Sequence, residues 1–296
     1  MRHTVPTFAV LAATFLLVSC ATRVPEWPMP EGTVSTTING YPIAHKGTGA
    51  GPVIVALPGV MCDYRCFGPQ STGLADGYRF VAVSLRHAYP EKWDGTGTTY
   101  SLAQHAHDVA SLIEKLGAPV YLVGQSYGAR VAYEVAHARP ELVRKLVLAE
   151  APIDSMVVGA SEVLGIQRER AIKTEALFRT SGIDAGLEFG VDAINGDGLW
   201  ARLPPPVKQL ARDNAWTVVA LGKDDWRPVS CSEFAELKMP VLIVSGERTA
   251  PRFKQLVAEQ AKCLPGAQLK VIPRAGHNSQ FDNSADFNAA VRAFLR

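Results

Sequence analysis

Residues 121 to 136 read YLVGQSYGARVAYEVA. The apolar run Val120–Val123 stops at Gly124-Gln125-Ser126-Tyr127-Gly128, and apolar positions at helical spacing begin at once. A buried strand that enters a helix through one serine between glycines has two readings. It is a turn softened by glycine, or it is a nucleophile held on a strained elbow with its hydroxyl exposed. On the second reading the glycines relieve crowding against neighbouring backbone. The helix N-terminus then lies beside developing negative charge. The string G-x-S-x-G alone occurs by chance; a strand before it and a helix after it are the context that gives it meaning.

That context extends along the chain. Pro52–Leu57 (PVIVAL) is a continuous apolar run, as expected of a strand buried on both faces. Similar runs stand at Phe80–Leu85, Leu146–Ala149, Val241–Val244 and Leu269–Ile272. Helical periods separate most of them. Ser101–Leu116 puts Leu102, Ala106, Val109, Leu112, Ile113 and Leu116 on one face, and Tyr127–Arg139, Phe253–Cys263 and Phe281–Leu295 behave likewise. Val34–Ile38 and Tyr41–His45 flank Asn39-Gly40, a hairpin signal. The alternation predicts an α/β fold: a mostly parallel eight-stranded sheet, helices on both faces, and an antiparallel hairpin at one edge. Between about Ala151 and Glu236 the rhythm breaks into short helical pieces, glycines and Pro204-Pro205-Pro206. This predicts an inserted helical cap over 151–236 on a core of 33–150 and 237–296.

The chain has 296 residues, 47% hydrophobic and 20% charged, enough for a large core. A formal net charge of +2 with no basic block gives no sign of a nucleic-acid surface. The chain begins MRHTVPTFAVLAATFLLVSC. Arg2 precedes an apolar stretch of 14 residues, Val5–Val18, too short to span a bilayer, which takes roughly 20. It reads as a secretory signal. Leu17-Val18-Ser19-Cys20 resembles the lipobox of bacterial lipoproteins. The resemblance implies cleavage of 1–19, with Cys20 as lipidated N-terminus and sole membrane attachment. Residue 21 is alanine and not aspartate, which in enterobacterial lipoproteins favours the outer membrane, so a bacterial cell-envelope protein facing the periplasm is expected. Residues 21–32, ATRVPEWPMPEG, read as a proline-rich tether.

Cys62, Cys66, Cys231 and Cys263 remain, and disulfides are permitted outside the cytoplasm. Four cysteines allow three pairings. The simplest is Cys62 with Cys66 and Cys231 with Cys263; free buried thiols are the alternative. The histidines lack the spacing of a zinc site.

A serine hydroxyl needs a base to take its proton. Of the seven histidines, His3 lies in the signal, and His105, His107 and His137 lie on helical stretches. His45 is on a strand at the wrong end, and His87 follows a strand. His277, in Pro273-Arg274-Ala275-Gly276-His277 beyond the last strand, is the expected base. That base needs an acid to fix its tautomer. Glu150 ends Leu146–Ala149, and Glu247 follows Val241–Gly246.

With these residues in hand the chain resembles the α/β-hydrolase family over about 33–296, in the family's order of serine, acid and histidine. Familiar members carry an aspartate three residues after the glycine matching Gly246, where this chain has Thr249. In some members, many haloalkane dehalogenases among them, the acid has moved to the strand end that Glu150 matches. Glu150 is therefore favoured over Glu247. Two fixed N–H donors must hold the oxyanion. One is Tyr127, next to the nucleophile. The family draws the other from a loop usually opened by His-Gly; here Pro58-Gly59 stands there and Val60 takes the donor place. Val83-Ser84-Leu85-Arg86-His87 occupies the place of an Asp-x-Arg-Gly motif, with Arg86 structural and His87 and Tyr89 candidates to touch substrate. Trp200, Trp216, Trp226, Phe178 and Phe189 are candidates for an acyl pocket or for the cap's own core.

The expected function is cleavage of a carboxylic ester through an acyl-enzyme on Ser126, with a small-molecule substrate and no cofactor or metal needed. A serine nucleophile speaks against dehalogenase and epoxide-hydrolase chemistry, which need an alkyl-enzyme ester. A cofactor-free perhydrolase, a carbon–carbon bond hydrolase and a non-catalytic binding lipoprotein are the alternatives.

Overall fold

A computed structural model of the protein describes residues 1, 27–97, 99–157, 159–224 and 226–296. The expected signal beyond Met1, Cys20 and the tether up to Glu26 lie outside these residues. Among the described residues no helix is long and apolar enough to cross a membrane.

The chain opens with β1 (Val34–Ile38) and β2 (Tyr41–Thr48), followed by β3 (Val53–Leu57), α1 (Gly68–Gly73) and β4 (Arg79–Val83). Then come α2 (Leu102–Leu116), β5 (Val120–Gln125), α3 (Tyr127–Ala138) and β6 (Val143–Ala149). Six helices follow without a described strand: α4 (Ala160–Thr180), α5 (Ile183–Asn195), α6 (Leu199–Arg202), α7 (Pro205–Asp213), α8 (Trp216–Lys223) and α9 (Cys231–Phe234). The sheet resumes with β7 (Val241–Gly246), α10 (Pro251–Cys263) and β8 (Gln268–Ile272), and the chain closes with α11 (Ser279–Asp282) and α12 (Ser284–Leu295).

The strands form one eight-stranded sheet in the order β1-β2-β4-β3-β5-β6-β7-β8. β1 and β4 pair antiparallel with β2, and the neighbours from β4 to β8 are parallel. The apolar runs are continuous because both faces are covered, and the period of two shows in what each residue meets. Val55, Leu57, Leu122 and Leu148 pack on one face with Leu112 and Ile113 of α2 and Val131 of α3. Ile54, Ala56, Val123 and Val147 face the other way, toward Phe287 and Val291 of α12.

Element ends shift where hydrogen bonds outlast the apolar run. β2 continues to Thr48 because Gly47 and Thr48 pair with Val81 and Phe80. The single helix expected over Phe281–Leu295 is two, divided at Asn283, whose side chain accepts the Asp286 N–H and caps α12. α2 starts as expected, with the Ser101 hydroxyl accepting the Gln104 N–H. The helices between β6 and β7 have their own core, in which Phe178, Leu187, Val191, Trp200 and Val218 are buried together. Cys62 pairs with Cys66, and Cys231 with Cys263, the second bridge joining α9 to α10.

From β3 the chain runs outward to β4, then returns across β3 to β5. The carboxyl ends of β3 and β5 therefore flank the point where strand order reverses, the usual crevice of an open parallel sheet.

Candidate active site

Ser126 stands in that crevice, between β5 and α3, with φ 51° and ψ −121°. A non-glycine residue there stores about 1–3 kcal/mol of strain. The surroundings hold it: Ser126 N–H donates to Ala149 O at 2.8 Å, while Ala129 and Arg130 N–H groups donate to Ser126 O at 2.9 and 3.1 Å. The flanking glycines are required by close approach. A Cβ on Gly128 would lie 2.1 Å from Leu57 O, and one on Gly124 would lie 2.4 Å from the Ala129 Cα.

His277 lies on the loop between β8 and α11. Its Nδ1–H donates to Glu150 Oε2 at 2.6 Å. Both are buried, Glu150 to 1% exposure and His277 to 9%. Glu150 follows the last residue of β6 and has φ 51°. Its Oε1 accepts from Gly246 N–H at 2.8 Å and Ser245 Oγ at 3.2 Å, and its Oε2 also accepts from Thr249 Oγ1 at 2.8 Å. Thr249, at the place of the familiar aspartate, is thus a donor to Glu150. Glu247 is exposed and accepts the Arg274 N–H at 2.7 Å. Of the two candidate carboxylates, the fold brings Glu150 to His277. A proton on Nδ1 leaves Nε2 with the free lone pair of a base. Phe253 stacks on the ring with centroids 3.9 Å apart, and Gln125, next to the serine, donates its Nε2–H to His277 O at 3.2 Å.

Tyr127 is the first residue of α3, so its N–H has no acceptor within the helix. Val60, on the loop after β3, and Ser126 line one cleft, open at its mouth. Next to Val60, the Met61 N–H is taken up by Thr217 Oγ1 at 2.8 Å, which ties the loop to α8. The Tyr127 side chain is buried and its hydroxyl donates to His105 Nδ1 at 2.7 Å. His105 Nε2–H in turn donates to Arg86 O at 3.2 Å. Burial holds His105 neutral, its pKa lowered to about 3.

Arg86 is structural, as its place suggested: Nε and Nη2 bond the two oxygens of Asp108 at 2.9 and 3.1 Å. His87 and Tyr89, the candidates to touch substrate, are not among the residues that line the cleft with Ser126. His87 is buried, bonding Glu91 at 3.1 Å and Thr99 at 2.7 Å. Of the five aromatics singled out, Trp226 lines the cleft, while Phe178 and Trp200 belong to the core of the inserted helices.

Residues 54–290 match the alpha/beta hydrolase family. The chain belongs to that family. Its similarity to individual members is distant and spans nearly their whole length. It is 27% identical to the putative 2-succinyl-6-hydroxy-2,4-cyclohexadiene-1-carboxylate synthase of Bacillus subtilis, over 89% of this chain and 98% of that protein. It is 28% identical to the 2-(acetamidomethylene)succinate hydrolase of Mesorhizobium japonicum, over 77% of this chain and 82% of that one. Among solved structures, a thermophilic esterase from Thermogutta terrifontis superposes with a TM-score of 0.72 at 22% identity, covering 89% of this chain and 98% of that one. The enol-lactonase from Burkholderia xenovorans gives 0.71 at 20% identity, covering 88% and 99%. At these identities the structures speak for the family's fold.

Several residues at the site escaped sequence reasoning. Thr249 was noticed as a departure from the family pattern, and that departure was the available signal for its new role. Ser245, Gln125 and Phe253 gave none, because each acts through a neighbour distant in sequence. The helical spacing of Gln167, Arg170, Ala171 and Thr174, all lining the cleft, was legible but had no partner face to assign it to.

Proposed function

We propose that the protein is a serine hydrolase that cleaves carboxylic esters. The observation that carries this is the Glu150–His277 pair, joined at 2.6 Å in the crevice that holds Ser126 on its strained turn. Ser126 Oγ attacks the ester carbonyl while His277 Nε2 takes its proton. The N–H groups of Val60 and Tyr127 receive the oxyanion. The tetrahedral intermediate collapses, and the imidazolium of His277 gives its proton to the leaving alcohol. A water, deprotonated by His277, then attacks the acyl-enzyme; carboxylic acid leaves and Ser126 regains its proton. Glu150 fixes the tautomer of His277 and stabilises the imidazolium in both halves. No step calls for a metal or organic cofactor.

Purified protein should hydrolyse p-nitrophenyl acetate, and Ser126→Ala should lower kcat by about 10³-fold or more. Equal turnover by the two proteins would remove Ser126 from the chemistry.

The same reading includes anchorage to the cell envelope through a lipid on Cys20, supported by the Leu17-Val18-Ser19-Cys20 string and by two disulfides, which suit an oxidising compartment. In a bacterial host, Cys20→Ser should move the protein from the membrane fraction to the soluble one. An unchanged membrane fraction would count against the anchor.

A further inference from the structure

The wall of the cleft beside Ser126 has an uneven charge. Its charged lining residues are two arginines, Arg170 and Arg252, and no aspartate or glutamate lines it. Arg252 already has an acid, since its Nε and Nη2 reach Asp154 Oδ1 at 3.1 and 2.6 Å. Arg170 is exposed at the cleft and has no hydrogen bond or ion pair among the described residues. It is not on the outward side of α4. Gln167, Arg170, Ala171 and Thr174 recur at i, i+3, i+4 and i+7, and all four line the cleft.

Thr174 adds an independent observation. It is 1% exposed. It lines the same cleft as Arg170 and Ser126. Thr174 and Arg170 are one helical turn apart, so one incoming group can meet both. The rest of the wall is mainly apolar, with Val60, Ile194, Val218, Leu221 and Phe253.

Resting on the serine-hydrolase reading, we infer that the cleft takes esters whose acyl chain ends in a carboxylate, held by Arg170 and the Thr174 hydroxyl. Arg170 supplies the unneutralised charge and a planar pair of donors. Thr174 supplies the third donor. The apolar wall accommodates the chain between the carboxylate and the carbonyl at Ser126. Arg252, neutralised by Asp154, adds little to the attraction.

The test compares mono-p-nitrophenyl adipate and suberate with the p-nitrophenyl hexanoate and octanoate of equal chain length, in which a methyl replaces the carboxylate. The wild type should favour the anionic member of a pair in kcat/KM. Arg170→Gln should lower that ratio at least tenfold, mainly through KM, as loss of a hydrogen-bonded charge does. Thr174→Val should lower it severalfold, and Arg170→Lys should keep most of it. A ratio the same in Arg170→Gln as in wild type overturns the inference. A binding measurement separates this from failure of the ester reading. Monoethyl adipate is titrated calorimetrically into Ser126→Ala protein, where no turnover is needed. Saturable binding that Arg170→Gln weakens tenfold or more upholds the carboxylate site even if none of the chromogenic esters is cleaved. No binding, or binding indifferent to Arg170, sinks it.

Discussion

Glu150 accepts hydrogen bonds from Gly246, Ser245, Thr249 and His277. Four donors around one buried carboxylate leave no room for an amide, which would turn N–H toward N–H or O–H. On the proposed mechanism Glu150→Gln also releases the tautomer of His277. Its kcat should fall roughly 10²–10⁴-fold, the scale of removing the acid from such a triad. Glu247→Gln removes an exposed charge while keeping an oxygen that can accept the Arg274 N–H, and should keep kcat within about twofold of wild type. The comparison is made on p-nitrophenyl acetate, and the reverse pattern would mean that Glu247 is the acid. Ser126 and His277 were legible from the chain because a strand and a turn announce each one locally. The partner of His277 was legible only through the family resemblance, which favoured Glu150, because both glutamates end strands. Which of them meets the His277 loop depends on how Glu150 leaves β6 at positive φ and on the hydroxyl that Thr249 presents. Neither is a local property of the sequence.

At the scale of elements, α2 and α3 are joined by a buried polar contact between His105 and Tyr127. Removal from water lowers the His105 pKa to about 3; Asp108 opposes this, and His87 adds to it. An unfolded chain protonates this histidine near its ordinary value of about 6.5. Between about pH 6.5 and 3 the unfolded state therefore binds more protons, and stability falls as pH falls through that window. Unfolding free energy measured in urea over this range should drop more steeply for wild type than for His105→Gln, by up to about 1.4 kcal/mol per pH unit. Parallel pH slopes would show that His105 is not held neutral. Sequence reading placed His105 on the right helix, yet could not tell a surface histidine from a buried one. Its helical position is compatible with either, and only the approach of Tyr127 decides. The inserted helices illustrate the same limit. Their existence showed in the missing apolar runs, but their arrangement depends on packing among Phe178, Leu187 and Trp200, which no local pattern encodes.

Over the whole molecule, the sheet was legible because strands covered on both faces must be apolar, and the runs of β3 to β7 are, while β8 at the edge carries Lys270 and is mostly exposed. Strand order was not legible from the runs themselves. A crossover leaves no local mark in the sequence, so the order β1-β2-β4-β3-β5-β6-β7-β8 comes from the fold alone. That order places three distant pieces of chain, the turn at Ser126, the end of β6 and the loop after β8, in one crevice. One disulfide fastens the loop that carries Val60, and a second joins α9 to α10. The central claim is that this assembly makes Ser126 a nucleophile. Purified protein treated with a fluorophosphonate and analysed by peptide mass spectrometry tests it directly. The account predicts one phosphonyl adduct, on Ser126, formed more slowly in Glu150→Gln and absent in Ser126→Ala. A wild-type protein that takes up no probe, or an adduct that persists in Ser126→Ala, would contradict it.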